Sequence, residues 1–163
     1  MLQQLDYIAV IVYTYVSQYG LRWIAGIGMD CQEPVSIYYL ASGRLGIPVL
    51  DALVDESRVR LLGVGSQPDR PAGRKRRLVP TAVAQHALDI GLPVSRVSSV
   101  SNVSWLAELA ARSPELVVVA SFGQLLKPAL LELPRSGCLN VHASLLPRHR
   151  GASPVAAALL AGD

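Results

Sequence analysis

Apolar positions along this chain alternate between two rhythms. Short β-branched and aromatic runs at 35–40 (VSIYYL), 59–65 (VRLLGVG) and 116–120 (LVVVA) are bounded by Gly, Ser or Pro and predict strands. Between them, residues 45–53, 81–91 and 102–112 carry apolar side chains at helical spacing. Gly91 stops the second of these, and Ser101 or Asn102 caps the third. Residues 41–43 (ASG) read as a tight turn, 93–97 as a short strand and 127–133 as a short helix. A strand over 136–141 follows, then a helix over 153–161 with Ser153 as N-cap and Pro154 in its first turn. Strands separated by helices need crossovers, which are right-handed by default. The pattern predicts an α/β fold, a Rossmann-like, mostly parallel sheet flanked by helices, with the uninterrupted LVVVA run as a central strand buried on both faces.

Composition narrows this picture. With 163 residues, 51% hydrophobic and 17% charged, the chain has the size of one domain and enough apolar material for a core. Its two cysteines, Cys31 and Cys138, are far apart and lack metal-ligand spacing, so neither a disulfide scaffold nor a zinc site is expected; Cys138 reads as a small buried hydrophobe. That usage fits a reducing cytoplasm. Residues 1–33 form a leader with no assigned role, and residues 34–163 form the domain. The leader's apolar run at 7–16 is short of the roughly 20 residues that span a bilayer, and no Lys or Arg precedes it as in a secretory signal. Gly26-Ile27-Gly28 lacks the third glycine of a dinucleotide fingerprint.

Candidate chemistry lies at 140–154, NVHASLLPRHRGASP, where a strand delivers Asn140 and His142 two residues apart and therefore on one face. Ligands of parallel α/β sheets collect beyond the carboxyl ends of strands. An amide donates to a developing oxyanion and an imidazole exchanges protons near neutral pH, a pair suited to acyl or formyl transfer. Alone, the pair reads more readily as a turn Asn and a hydrogen-bonded His. A second stretch, 66–80 (SQPDRPAGRKRRLVP), places Arg70, Arg74, Lys75, Arg76 and Arg77 within eight residues and holds much of the basic excess behind the net charge of +3. Pro68, Pro71 and Gly73 predict a mobile loop without regular structure. Its charge suits a phosphate backbone, and the absence of interleaved aromatics argues against base stacking; a solvated linker is the bland alternative.

The string NVHASLLPRHRG resembles the signature of the folate-dependent formyltransferases, Asn-x-His followed by Ser-Leu-Leu-Pro and, four residues on, Gly. QPDRPAGRKRRL resembles the loop that the methionyl-tRNA formyltransferases in this family press against the acceptor arm of initiator tRNA. The resemblance covers residues 35–163, departs from the family at Ala41, where glycine is usual, and does not reach the leader. It implies transfer of a formyl group from 10-formyltetrahydrofolate to the amino group of methionyl initiator tRNA, a step of translation initiation, in the cytoplasm and without a metal. By resemblance, Asn140 holds the oxyanion and His142 stabilises it or moves protons. Ser144, Leu145, Leu146 and Pro147 form the folate-side wall, residues 122–126 are a further wall or equally well core packing, and Arg70, Arg74, Lys75, Arg76 and Arg77 meet tRNA. Neither a membrane nor a protein partner is implied. Arg148 and Arg150 are placed to assist an anionic substrate, and His149 is expected at the surface. The family's third catalytic member is an aspartate about 35 residues beyond the histidine. Asp163 lies too close to His142 for that part and reads as a helix-end residue. The chain is therefore expected to be a truncated first part of the catalytic domain, inactive alone. The alternatives are a small-molecule formyltransferase of the nucleotide-sugar type and a non-catalytic fragment that binds RNA or folate.

Overall fold

The computed structural model describes residues 12–14, 34–74, 76–144, 146–151 and 153–163. The elements in chain order are β1 (Val12–Thr14), β2 (Val35–Ala41), a 3-10 turn (Arg44–Gly46), α1 (Ile47–Asp55), β3 (Val59–Ser66), β4 (Arg70–Ala72) and β5 (Arg77–Val79). They continue with α2 (Ala82–Asp89), β6 (Val94–Arg96), α3 (Val103–Ala111), β7 (Leu116–Ala120), α4 (Pro128–Leu131), β8 (Cys138–Val141) and α5 (Pro154–Ala161). The main sheet has the order β1-β8-β7-β2-β3-β6. Its neighbours run parallel except β1, which lies within the leader and pairs antiparallel with β8, Tyr13 opposite Asn140. The Rossmann-like, mostly parallel sheet predicted from the alternating rhythms is present.

Strand alternation sorts the core into two faces. Tyr38, Leu40, Val117, Val119 and Cys138 pack with Trp105 and Leu109 of α3 and Leu130 of α4. The intervening Ile37, Tyr39, Ala41, Val118 and Ala120 pack with Leu50 of α1 and with Val83 and Ala87 of α2. β2 and β7 lie side by side at the centre, and Tyr39, Leu40 and Ala41 are each 0% exposed. Burying the Tyr39 phenol requires a partner for its hydroxyl, which donates to Gly46 O at 2.8 Å.

Capping follows the side-chain chemistry in two helices: the Thr81 and Asn102 side chains accept from Ala84 N and Trp105 N at the starts of α2 and α3. Gly91, at φ 78°, ends α2 in the left-handed region. Ser153 sits at the start of α5 but makes no side-chain cap bond there. The segment expected as one helix from residue 45 begins instead as the 3-10 turn, because Pro48 lacks an N–H and suits the first turn of an α-helix starting at Ile47.

The expectation of irregular structure over 66–80 is corrected. β4 and β5 form an antiparallel hairpin, with Arg70, Pro71 and Ala72 opposite Val79, Leu78 and Arg77. A two-stranded ribbon has two open edges, so Pro71, which cannot donate, is tolerated with its nitrogen facing away from the ladder. Gly73 (φ 70°) and Arg76 (φ 46°) turn the chain, and Arg76 N donates to Gly73 O at 3.1 Å.

Gly46 is fixed by close approach. A Cβ there would lie 2.8 Å from Ala41 Cβ and 2.9 Å from both Tyr39 Oη and Val83 Cγ2. Gly46→Ala is expected to cost about 1–3 kcal/mol through overpacking, read as a lower urea midpoint with an unchanged slope. Cys138 is 9% exposed, and burial pushes its thiol up to about 12. Iodoacetamide at pH 8 is expected to leave Cys138 unmodified in the folded chain and to modify it in denaturant, as located by peptide mass mapping. Labelling in the folded chain at the rate of a free thiol would show that β8 is not held as described.

Candidate active site and nucleic-acid interface

Because β2, β3, β7 and β8 are parallel, their carboxyl ends open onto one rim, which Ser42, Gln67, Phe122 and His142 reach. Asn140 and His142 are both half-buried. Cys138 faces the layer of α3 and α4, and by strand period Asn140 projects on that same side. Leu139 and Val141 pack on the opposite face. β8 ends at Val141, so His142 leaves the ladder and is held by a different contact, 2.8 Å between its Nδ1 and Ser144 Oγ. Ser144 Oγ donates in turn to the carbonyls of Arg148 at 3.2 Å and His149 at 3.4 Å.

The motif loop is drawn to the end of α5. The Asp163 carboxylate accepts from His149 Nε2 at 2.5 Å and from the Arg148 guanidinium at 2.6 Å. The His149 hydrogen bond, with Arg148 beside it, holds that carboxyl below its usual range. His149 was expected at the surface, but its side chain is only 14% exposed. The reason is tertiary, since its partner lies fourteen positions away. Asp163 ends α5 as expected and does not touch His142.

Of the folate-side residues, Ser144 turns its hydroxyl inward, Leu146 is half-buried and Pro147 is exposed, while Leu145 lies outside the described residues. The second suggested wall divides. Phe122 is 2% exposed and belongs to the core, Leu126 packs against that core, and Leu125 is exposed. Leu146 and Pro147 therefore offer apolar side chains to solvent in the loop that follows the Asn140 strand.

A polar seam across the strand ends carried no signal in the sequence beyond small polar residues following apolar runs. Ser42 Oγ accepts from Gln67 N at 3.1 Å, buried Ser66 Oγ lies 2.5 Å from Thr81 Oγ1, and the Gln67 amide donates to Phe122 O at 2.7 Å. Gln124 bridges Val100 N and Val97 O. The bonds to Gln67 N, Phe122 O, Val100 N and Val97 O satisfy backbone groups that the rim would otherwise leave unpaired.

The basic hairpin rises from the carboxyl end of β3. Its base is held by Arg96 Nε donating to Asp69 at 2.6 Å and by a hydrogen bond from Arg70 to Gln67. Arg70, Arg74, Arg76 and Arg77 are exposed, and Lys75 lies outside the described residues. Among the described residues, none of these arginines is ion-paired. β3 and β8 are three strand steps apart, which puts the hairpin's root about 14 Å from the Asn140 strand along the same rim.

Comparison with known proteins bears on this arrangement. The family model described as Formyl transferase matches residues 37–163. A methionyl-tRNA formyltransferase of Legionella pneumophila (strain Paris) is 45% identical over 129 residues, 79% of this chain and 41% of that protein. Another, from Pseudomonas paraeruginosa (strain DSM 24068 / PA7), is 51% identical over 114 residues, 70% of this chain and 36% of that protein. The chain thus spans about two-fifths of the length of the curated relatives it matches. Among solved structures, glycinamide ribonucleotide transformylase 1 from Geobacillus kaustophilus matches with a TM-score of 0.63 at 24% identity, covering 80% of this chain and 70% of that one. Phosphoribosylglycinamide formyltransferase from Bacillus halodurans matches with a TM-score of 0.61 at 17% identity, covering 78% and 66%. At these identities the structural likeness speaks for the fold. The family match and the closer sequence relatives agree with the motif at the end of β8, and the chain belongs to the formyl transferase family.

Proposed function

We propose that this chain supplies the formyl-transfer half of an enzyme that moves a formyl group from 10-formyltetrahydrofolate to the amino group of methionyl initiator tRNA, in the cytoplasm at translation initiation. The observation that carries the reading is the shared rim: Asn140 and His142 at the end of β8, and an un-neutralised arginine hairpin at the end of β3. We take residues 34–163 as the catalytic-domain part and residues 1–33 as lying outside it.

In this reading the Asn140 amide donates to the oxyanion that develops on the formyl carbonyl, where a fixed donor costs no reorganisation. His142 receives the proton that the attacking amine must lose. Ser144, Leu145, Leu146 and Pro147 hold the folate side, their apolar groups flanking the pterin, and bound folate supplies the formyl group. Arg70, Arg74, Lys75, Arg76 and Arg77 position tRNA through its phosphates. By the family resemblance, an aspartate about 35 residues beyond His142 adds negative charge beside the imidazole.

Residues 34–163 joined to the remainder of the Legionella pneumophila relative are expected to formylate methionyl initiator tRNA. Asn140→Ala and His142→Ala are each expected to lower kcat by about 10²-fold or more. A folded chimera that leaves methionyl-tRNA untouched would overturn the substrate assignment. The 163-residue chain alone is expected to show no turnover; activity that vanishes in His142→Ala would remove the need for the outside carboxylate.

Binding of tRNA tests the hairpin separately. Replacing Arg74, Arg76 and Arg77 by Gln is expected to weaken tRNA binding and to reduce the slope of log K against log salt by about 2, at roughly 0.7–0.9 for each phosphate that is no longer neutralised. An unchanged affinity and slope would make the hairpin a solvated connection.

A further inference from the structure

Ser144 has one hydroxyl proton and three neighbours. Two of them, the carbonyl oxygens of Arg148 and His149 at 3.2 and 3.4 Å, can only accept. The third, His142 Nδ1 at 2.8 Å, donates or accepts according to the imidazole tautomer. If the hydroxyl donated to Nδ1, its lone pairs would face two carbonyl oxygens with no proton between them. If it donates to the carbonyls, all three neighbours are satisfied together, with Nδ1–H as the donor to Oγ.

The carbonyls are not free to turn away. His149 holds a backbone φ of 53°, a left-handed conformation that non-glycine residues rarely adopt, and its ring is tied to Asp163 at 2.5 Å. Arg148 is tied to the same carboxylate at 2.6 Å. Anchored from the far side, the segment presents both carbonyl oxygens to Ser144.

We infer that Ser144 is a positioning residue whose hydroxyl accepts Nδ1–H and holds neutral His142 as the Nδ1–H tautomer, so that Nε2 is the nitrogen that takes a proton. The purpose of this device rests on the formyl-transfer reading, whereas its geometry does not. In that reaction the new bond joins the amine nitrogen to the formyl carbon, and the bond broken joins that carbon to the folate nitrogen. The proton lost by the amine enters at Nε2 and is returned to the departing folate nitrogen, leaving His142 neutral again.

The test reads the imidazole itself and uses no substrate. Long-range ¹H–¹⁵N correlation spectra of the full chain are recorded at a pH about two units above the imidazole reference of ~6.5. The His142 signals are identified by their loss in His142→Gln. The expected pattern is a pyrrole-type Nδ1 and a pyridine-type Nε2. Ser144→Thr, which keeps a hydroxyl, is expected to retain it. Ser144→Ala is expected to move the ring toward the Nε2–H form that imidazoles favour in water. A pyridine-type Nδ1 in the unmodified chain would overturn the inference, as would a folded Ser144→Ala with an unchanged pattern. Neither result would touch the formyl-transfer reading, which the chimera assay decides on its own.

Discussion

Two-sided burial of the central parallel strands is the constraint on which the other features depend. β2 and β7 pair from Ile37 with Leu116 to Ala41 with Ala120, and helices cover both of their faces. A strand in that position has no solvated face on which to carry chemistry. Function is therefore driven to the strand ends, and parallel direction gathers those ends on one rim. The tight packing of Tyr39, Gly46 and Val83 beneath the rim sets how the chain leaves β2.

The rim must solve a polar problem before it can host a reaction. Strands that end inside a packed structure expose N–H and C=O groups to apolar surroundings, and each needs a partner. Ser42, Gln67 and Gln124 meet that need across β2, β3, β7 and the segment after β6, and Ser66 ties the Ser42 hydroxyl to that of Thr81. The result is a rigid floor between β8 and the hairpin on β3, about 14 Å wide by strand spacing. A substrate that touches both ends has to span that distance and be anionic at the hairpin end.

Legibility in the sequence divided by the range of the interactions involved. The β-branched runs and helical periods exposed the sheet and its helices, because two-residue and 3.6-residue rhythms are local. The place of Asn140 and His142 at the end of a strand was legible for the same reason. The hairpin was misread because Pro71 and Gly73 are breakers in a central strand, yet in a two-stranded ribbon Pro71 has an open edge and Gly73 makes the turn. His149 was misread because its burial depends on Asp163, while Phe122, which local pattern left between wall and core, is taken into the core by packing with α3 and α4. The stitching by Ser42, Ser66 and Gln67 had no local signature, since its bonds span up to 55 positions.

The motif strand shows how one alternation serves both packing and chemistry. Cys138 faces inward and is sealed against Leu130, its thiol held too protonated to act as a nucleophile. Two residues on, the same side of β8 presents Asn140 at the point where burial gives way to half-exposure. Asn140 is still braced by ladder pairing with Val119, so an amide placed there inherits the rigidity of the sheet. His142 falls just past the last paired residue and inherits none. A ring without a fixed backbone ladder takes its orientation from side-chain contacts, and the first such contact along the chain is Ser144. The first residue of the Ser-Leu-Leu-Pro segment after the histidine thus extends the order of the sheet to His142, which the sheet itself does not reach.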